Sequence, residues 1–152
     1  MRTGWPYPSS ACDDITTAVI VTDGPVAASV EMSVHGVWSR RLGVDIAAEL
    51  RGRFADRPGA VIVDLHGLLD EDAASMPLWL AACRIAAALR PSVHLALCLP
   101  ADAVLAQRLR RIGAHRLPVF ATKSEARAAV TKLLPAAACS RQGEVRPHVG
   151  RL

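Results

Sequence analysis

The chain has 152 residues, a length that suits one domain and leaves little for a second. Hydrophobic residues make up 51% and charged residues 21%, so it can bury a core and is not a disordered chain; only 4% is aromatic, so Ala, Leu and Val must supply that core. The net charge of +4 is too small to mark a nucleic-acid binder, and it is uneven: residues 1–99 carry 8 basic and 11 acidic side chains, net −3, while residues 100–152 carry 10 and 3, net +7.

The most apolar stretch, residues 76–89, contains Arg84 and falls short of the roughly 20 residues that span a bilayer. The first residues, MRTGWPYPSSACDD, lack an apolar signal region, so the expected location is cytoplasmic. Cys12, Cys83, Cys98 and Cys139 form no CxxC and have no His at zinc-like spacing. Cys83 falls in a helical pattern and Cys98 in a strand pattern, where a reduced thiol acts as a small apolar residue.

Residues 1–14, rich in Pro, Ser and Gly, read as a loose lead. Residues 15–21 are β-branched and residues 29–37 alternate, Val30, Met32 and Val34 facing one way and Glu31 and Ser33 the other. Asp23, Gly24 and Pro25 punctuate this hairpin. Ser39 is a predicted N-cap for a helix over residues 40–55, in which Leu42, Ile46, Leu50 and Phe54 recur every four residues. Gly43 and Gly52 each weaken that helix by about 1 kcal/mol. The run AVIVDL, residues 60–65, predicts a strand covered on both faces.

A loop over residues 66–74 leads to a helix over residues 75–89, ended by Pro91. VHLALCL, residues 93–99, is a second buried-type strand. Pro100 opens a helix to about Ile112, with Gly113 at its C′ position. Residues 117–120 form a short strand, and Thr122 and Glu125 have capping-box spacing for a last helix to Leu134. Residues 135–152 read as a basic tail. The order β-β-α-β-α-β-α-β-α implies one α/β domain over residues 15–134: a mixed, mostly parallel sheet with an antiparallel hairpin at one edge and four helices.

In such sheets function gathers beyond the carboxyl ends of the strands. There the loop HGLLDEDAAS places Asp70, Glu71 and Asp72 just before a helix, where amide dipoles favour carboxylates. Magnesium-dependent phosphoryl chemistry would also need a basic or hydroxyl partner at a neighbouring strand end, and only Thr122 and Lys123 stand near one. The segment DLHGLL resembles the DLDGTL nucleophile motif of haloacid-dehalogenase-type phosphatases, but His66 and Leu68 replace the acid/base and the phosphate-holding hydroxyl. The sequence has no GxSxG elbow, no GxGxxG after a strand and no GxxxxGK, so no cofactor is implied and His35, His66, His94 and His115 form no catalytic set.

On the second helix, Leu78, Ala82, Ile85, Ala86 and Leu89, with Trp79 nearby, fall on the face expected to meet the sheet. Met76, Leu80 and Ala87 fall on the opposite, Arg84 side, where an ordinary surface helix is polar. That points to cover by another helix or by a partner. The third helix carries Arg108, Arg110 and Arg111, followed by Arg116; this reads as a solvated face, without the helix-turn-helix pairing or aromatic interleaving of direct nucleic-acid binding.

This arrangement resembles the STAS domain, the fold of bacterial anti-sigma factor antagonists, over about residues 15–134. The best match is AVIVDLHGLLDEDAASMPLWLAACRIA, similar to that family's strand, acidic-Ser-Ser-Gly loop and following helix. VHGVWSRRLGVDIAAEL resembles its second strand, glycine turn and first helix, and Gly113, Phe120, Ser124, Glu125 and Ala126 its closing pattern. The resemblance implies a non-catalytic module that regulates transcription by binding an anti-sigma factor that is also a serine kinase. Phosphorylation of a serine at the start of the second helix would cancel binding, because about two negative charges beside acidic residues repel a docked partner. Asp72 is kept at that loop, but the phosphorylated serine falls on Ala74 and the glycine on Ser75; the aspartate after the glycine turn falls on Ser39. Ser75 is the alternative phosphoacceptor.

The expected contacts are therefore Trp38, Ser39, Glu71, Asp72, Ser75, Met76 and Leu80, with no metal, no membrane and no direct nucleic acid; homodimerisation is left open. The alternatives are a small-ligand- or nucleotide-binding STAS domain and a metal-dependent phosphatase remnant on the acidic loop.

Overall fold

The computed structural model describes residues 17–24, 28–112 and 117–134. The expected lead and tail, Cys12, Cys139, Gly113, His115 and Arg116 lie outside these residues. The elements run β1 (Ala18–Asp23), β2 (Ser29–Val37), α1 (Arg40–Ala55), β3 (Ala60–Leu69), α2 (Met76–Ala88), β4 (His94–Cys98), α3 (Val104–Arg111), β5 (Val119–Phe120) and α4 (Lys123–Leu133). The strands form one sheet in the order β1-β2-β3-β4-β5, with β1 antiparallel to β2 and the other pairs parallel. This is the mixed sheet with a hairpin edge and four helices expected from the sequence.

The face of the sheet carrying Met32, Val34, Val61, Val63, Leu65, Leu95 and Leu97 packs on α1, α2 and α3. From α1 come Leu42, Ile46, Leu50 and Phe54, the residues of the four-residue repeat, all buried. The opposite face, with Ala60, Ile62, Ala96 and Cys98, packs on Ala126 and Val130 of α4. β3 and β4 are thus covered on both sides, which is why they read as continuous apolar runs.

Both predicted caps form. Ser39 Oγ accepts from the Leu42 amide at 3.1 Å, and Thr122 Oγ1 accepts from the Glu125 amide at 3.2 Å. Gly43 is tolerated in α1 for a packing reason: a Cβ there would lie 2.7 Å from the Trp38 ring. Propensity is given up for close approach of an aromatic ring.

Three expectations are corrected. β3 extends to Leu69 rather than stopping at Leu65, because β2 continues alongside and pairs Gly36 with Leu68 and Val37 with Leu69. An extra residue in β3 between the Ser33–Asp64 and His35–Gly67 pairs makes a bulge there. Residues 100–103 form a turn, the Ala103 amide donating to the Pro100 carbonyl at 3.0 Å, so α3 begins only at Val104. Glu31 lies, as expected, on the face opposite Met32 and Val34; there it is buried and takes two bonds from the Arg127 guanidinium of α4, at 2.8 and 2.7 Å. The buried stripe of α2 is Trp79, Ala82, Cys83 and Ala86, while Ile85 is 48% exposed. The helix is rotated from the expected setting because Trp79 carries the most area to bury.

Candidate functional site

Two chain segments meet at the carboxyl rim of β2 and β3. The Trp38 amide donates to the Leu69 carbonyl at 2.8 Å, which ties the turn before α1 to the start of the acidic loop. Val37, Trp38, Leu69, Asp70, Glu71, Asp72 and Ala74 line one concavity of about 370 Å³. Val37 and Leu69 are each 52% exposed, and Glu71 and Asp72 point to solvent. Large apolar side chains in water forfeit burial energy, so two of them at a carboxylate-lined hollow form a surface suited to a partner.

Asp70 organises the loop. Its carboxylate accepts from the amides of Ala74 at 2.8 Å and Ser75 at 3.0 Å, and also from the Ser75 hydroxyl. A carboxylate at the amides of a helix start is the arrangement the helix dipole favours. Ala73 takes a left-handed φ of 53° within this loop, and the Arg108 guanidinium of α3 holds the Asp72 carbonyl at 2.8 Å. Arg108 is therefore a brace rather than part of a purely solvated face.

The expected site residues divide into groups. Trp38, Glu71 and Asp72 are brought together at the hollow. Ser39 is exposed beside it and occupied as a helix cap. Met76 and Leu80 are half-buried and pack against the core, so they are not the open apolar pair that the helical wheel implied. Ser75 requires a correction as contact and as phosphoacceptor: it is fully buried. Its hydroxyl donates to Asp70 and accepts from Trp79 Nε1 at 3.0 Å. A kinase needs an open hydroxyl, and here the hydroxyl is a strut between loop and helix.

Sequence reasoning missed Val37, Leu69, Asp70 as brace, and Arg108. Val37 and Leu69 come into register only because β3 runs four residues past its apolar run. The signal for Asp70 was its place five residues before Ser75, the cap position of α2.

A second cluster lies on the α4 face. His66, expected in the rim loop, is instead on β3; its Nδ1 is 2.6 Å from Asp64 Oδ1 and its Nε2 is 2.9 Å from the Ala121 carbonyl oxygen. Lys123 Nζ stands 3.5 Å from Asp64 Oδ2. Burial pushes the Asp64 carboxyl up, but hydrogen bonds from the His66 amide and ring, with the charges of His66 and Lys123, outweigh it and hold the carboxyl below its ordinary value. Cys98 and Cys83 are buried free thiols; burial, with Asp64 nearby, pushes Cys98 up to about 12. Among the described residues, no group of three or more His, Cys, Asp or Glu is placed to hold a metal ion, and no helix is long and apolar enough to cross a membrane.

No family model and no curated protein matches the chain. Solved structures do. An anti-sigma factor antagonist from Mycobacterium paratuberculosis superposes with a TM-score of 0.60 at 18% identity, over 74% of this chain and 92% of that one. The anti-sigma factor antagonist SpoIIAA in its unphosphorylated form superposes with a TM-score of 0.56 at 17% identity, over 78% of this chain and all of the other. The chain has the fold of anti-sigma factor antagonists.

Proposed function

We propose that this chain is an anti-sigma factor antagonist: a binding module without catalysis of its own that engages an anti-sigma factor through the carboxyl rim of β2 and β3. The observation that carries the reading is the hollow between Trp38 and the acidic loop, where Val37 and Leu69 stand half-exposed among Glu71 and Asp72. Proteins that work by docking concentrate affinity in a few apolar anchors ringed by polar groups. The fold shared with anti-sigma factor antagonists supports this choice of partner.

The partner is an anti-sigma factor of the serine-kinase type, presenting apolar residues flanked by cations to the acidic rim. Phosphorylation does not switch this loop. Ala74 offers no hydroxyl, and the Ser75 hydroxyl is closed in by Asp70 and Trp79. The module then acts constitutively, its activity set by its abundance. The setting is the cytoplasm, where sigma factors work.

Affinity capture from the native host with the intact chain, in parallel with Leu69→Asp and with Glu71→Lys combined with Asp72→Lys, tests this. The intact chain should retain an anti-sigma factor and release its sigma factor, and both variants should lose it by at least tenfold while melting normally. Retention of the same protein by the rim variants, or failure of the captured protein to bind a sigma factor, would overturn the reading. Incubation of the captured kinase with ATP and the chain should leave residues 70–75 unphosphorylated.

A further inference from the structure

A second apolar surface lies away from the rim, in the seam between α1 and α2. It is a groove of about 340 Å³ lined by Ala47, Leu50, Phe54, Leu78, Ala82 and Ile85, with Arg51 as its one charged wall. Val44, one turn before Ala47, is 60% exposed, and Ile85 is 48% exposed. A helix that faces water at these positions is ordinarily polar. Here Leu50, Phe54 and Ala82 are buried as the floor of the seam, Leu78 is half-buried, and Val44 and Ile85 stand open to water above them.

Charge identifies the occupant. Arg40, Val44, Ala47, Arg51 and Phe54 follow one another at spacings of four, three, four and three residues, so they share one face of α1. Both carboxylates on α1, Asp45 and Glu49, fall on the opposite flank at 100° per residue. The facing stripe of α2, Leu78, Ala82, Ile85 and Leu89, contains no charge at all. Arg40 and Arg51 are exposed, and neither has a carboxylate partner among the described salt bridges. Arg40 also opens α1, where the helix dipole disfavours a cation and no acidic residue stands in the first turn to offset it. The groove is thus apolar along its floor and cationic along one wall, the reverse sign from the acidic rim.

We infer that the α1–α2 groove binds an amphipathic helix with an apolar stripe and a carboxylate flank, laid along the seam so that its acids meet Arg40 and Arg51. A helix in a groove is read through anchors at i, i+3, i+4 and i+7, and Val44 and Ile85, above the buried Leu50 and Phe54, provide the complementary surface. The α1 helix has 16 residues, a length of roughly 24 Å, enough to seat three to four turns of a partner. The groove itself, from Ala47 to Phe54 and from Leu78 to Ile85, shares no lining residue with the rim hollow and has the opposite charge, so the two can be tested separately.

The probe is a phage-displayed library of helical 16-residue peptides with a fixed leucine stripe and randomised flanks, selected on the full chain. Enriched peptides should carry acidic flanks, and their binding should fall at least tenfold on Ile85→Asp and on Arg51→Glu. Binding to Arg51→Glu should recover when the facing carboxylate of the peptide is changed to lysine. Leu69→Asp, at the rim, should leave binding unchanged, which separates failure of this inference from failure of the rim reading. Circular dichroism and melting of each variant guard against misfolding, and Arg51→Glu carries the test if Ile85→Asp melts early. Neutral or basic flanks, binding indifferent to both groove variants, or loss of binding on Leu69→Asp would overturn the inference. A dimer in sedimentation that Val44→Asp dissociates would overturn it too, by giving the groove to a second copy of the chain.

Discussion

The two faces of the sheet are built from different chemistry. One is covered by three helices and is apolar throughout, with Met32, Val63, Leu97 and Trp79 fully buried. The other is covered by α4 alone, and beside its small apolar cluster stand the Glu31–Arg127 pair and the Asp64–His66–Lys123 group. Apolar burial is additive and insensitive to pH, whereas the ionic contacts depend on protonation and need their partners in place. The first face therefore sets most of the stability, and the second fixes where α4 sits.

The contrast is tested hardest at Trp79. Trp79→Ala empties the largest fully buried side chain and takes the indole N–H from Ser75, so it should cost about 3–5 kcal/mol in urea unfolding. Leu80→Asp should be milder, about 1–2 kcal/mol, because Leu80 is only half-buried against the core. A normal melting temperature for Leu80→Asp would place that side chain on the surface instead.

On the ionic face the effects should be smaller and conditional. Asp64 titrates lower in the folded chain than its ordinary 3.8, so its contribution is fully present above that value and lost as the pH falls through the folded one. Thermal melts of the native chain and Asp64→Asn should differ above roughly pH 5 and converge in stronger acid. A constant difference at all pH values would show that Asp64 acts through packing rather than charge. The smallest effect is expected at Gly43. Gly43→Ala gains helix propensity of about 0.5–1 kcal/mol but drives its Cβ into the Trp38 ring. The net should be a slight destabilisation with a shifted Trp38 fluorescence, and a more stable variant with unchanged fluorescence would show that the ring yields freely.

Much of this architecture was legible in the residues alone. The four-residue repeat in α1, the caps at Ser39 and Thr122, the apolar runs of β3 and β4 and the alternation of strand and helix are local patterns, and local patterns survive into the fold because each satisfies its own backbone. The acidic loop and Trp38 were also visible as neighbours at the rim, since sheet topology brings successive strand ends together. Other features depended on residues far apart in the chain. β3 lengthens because β2 supplies its ladder, Glu31 turns inward because Arg127 arrives from 96 positions away, and Arg108 pins a loop 36 positions earlier. The burial of Ser75 follows from where Trp79 must go. The sequence by itself determined which segments are helix and strand and in what order they follow along the chain, since periodicity and capping act within a few residues. Only the tertiary structure decided which polar groups are closed in and which apolar ones are left open, because burial is a property of what the rest of the chain brings alongside.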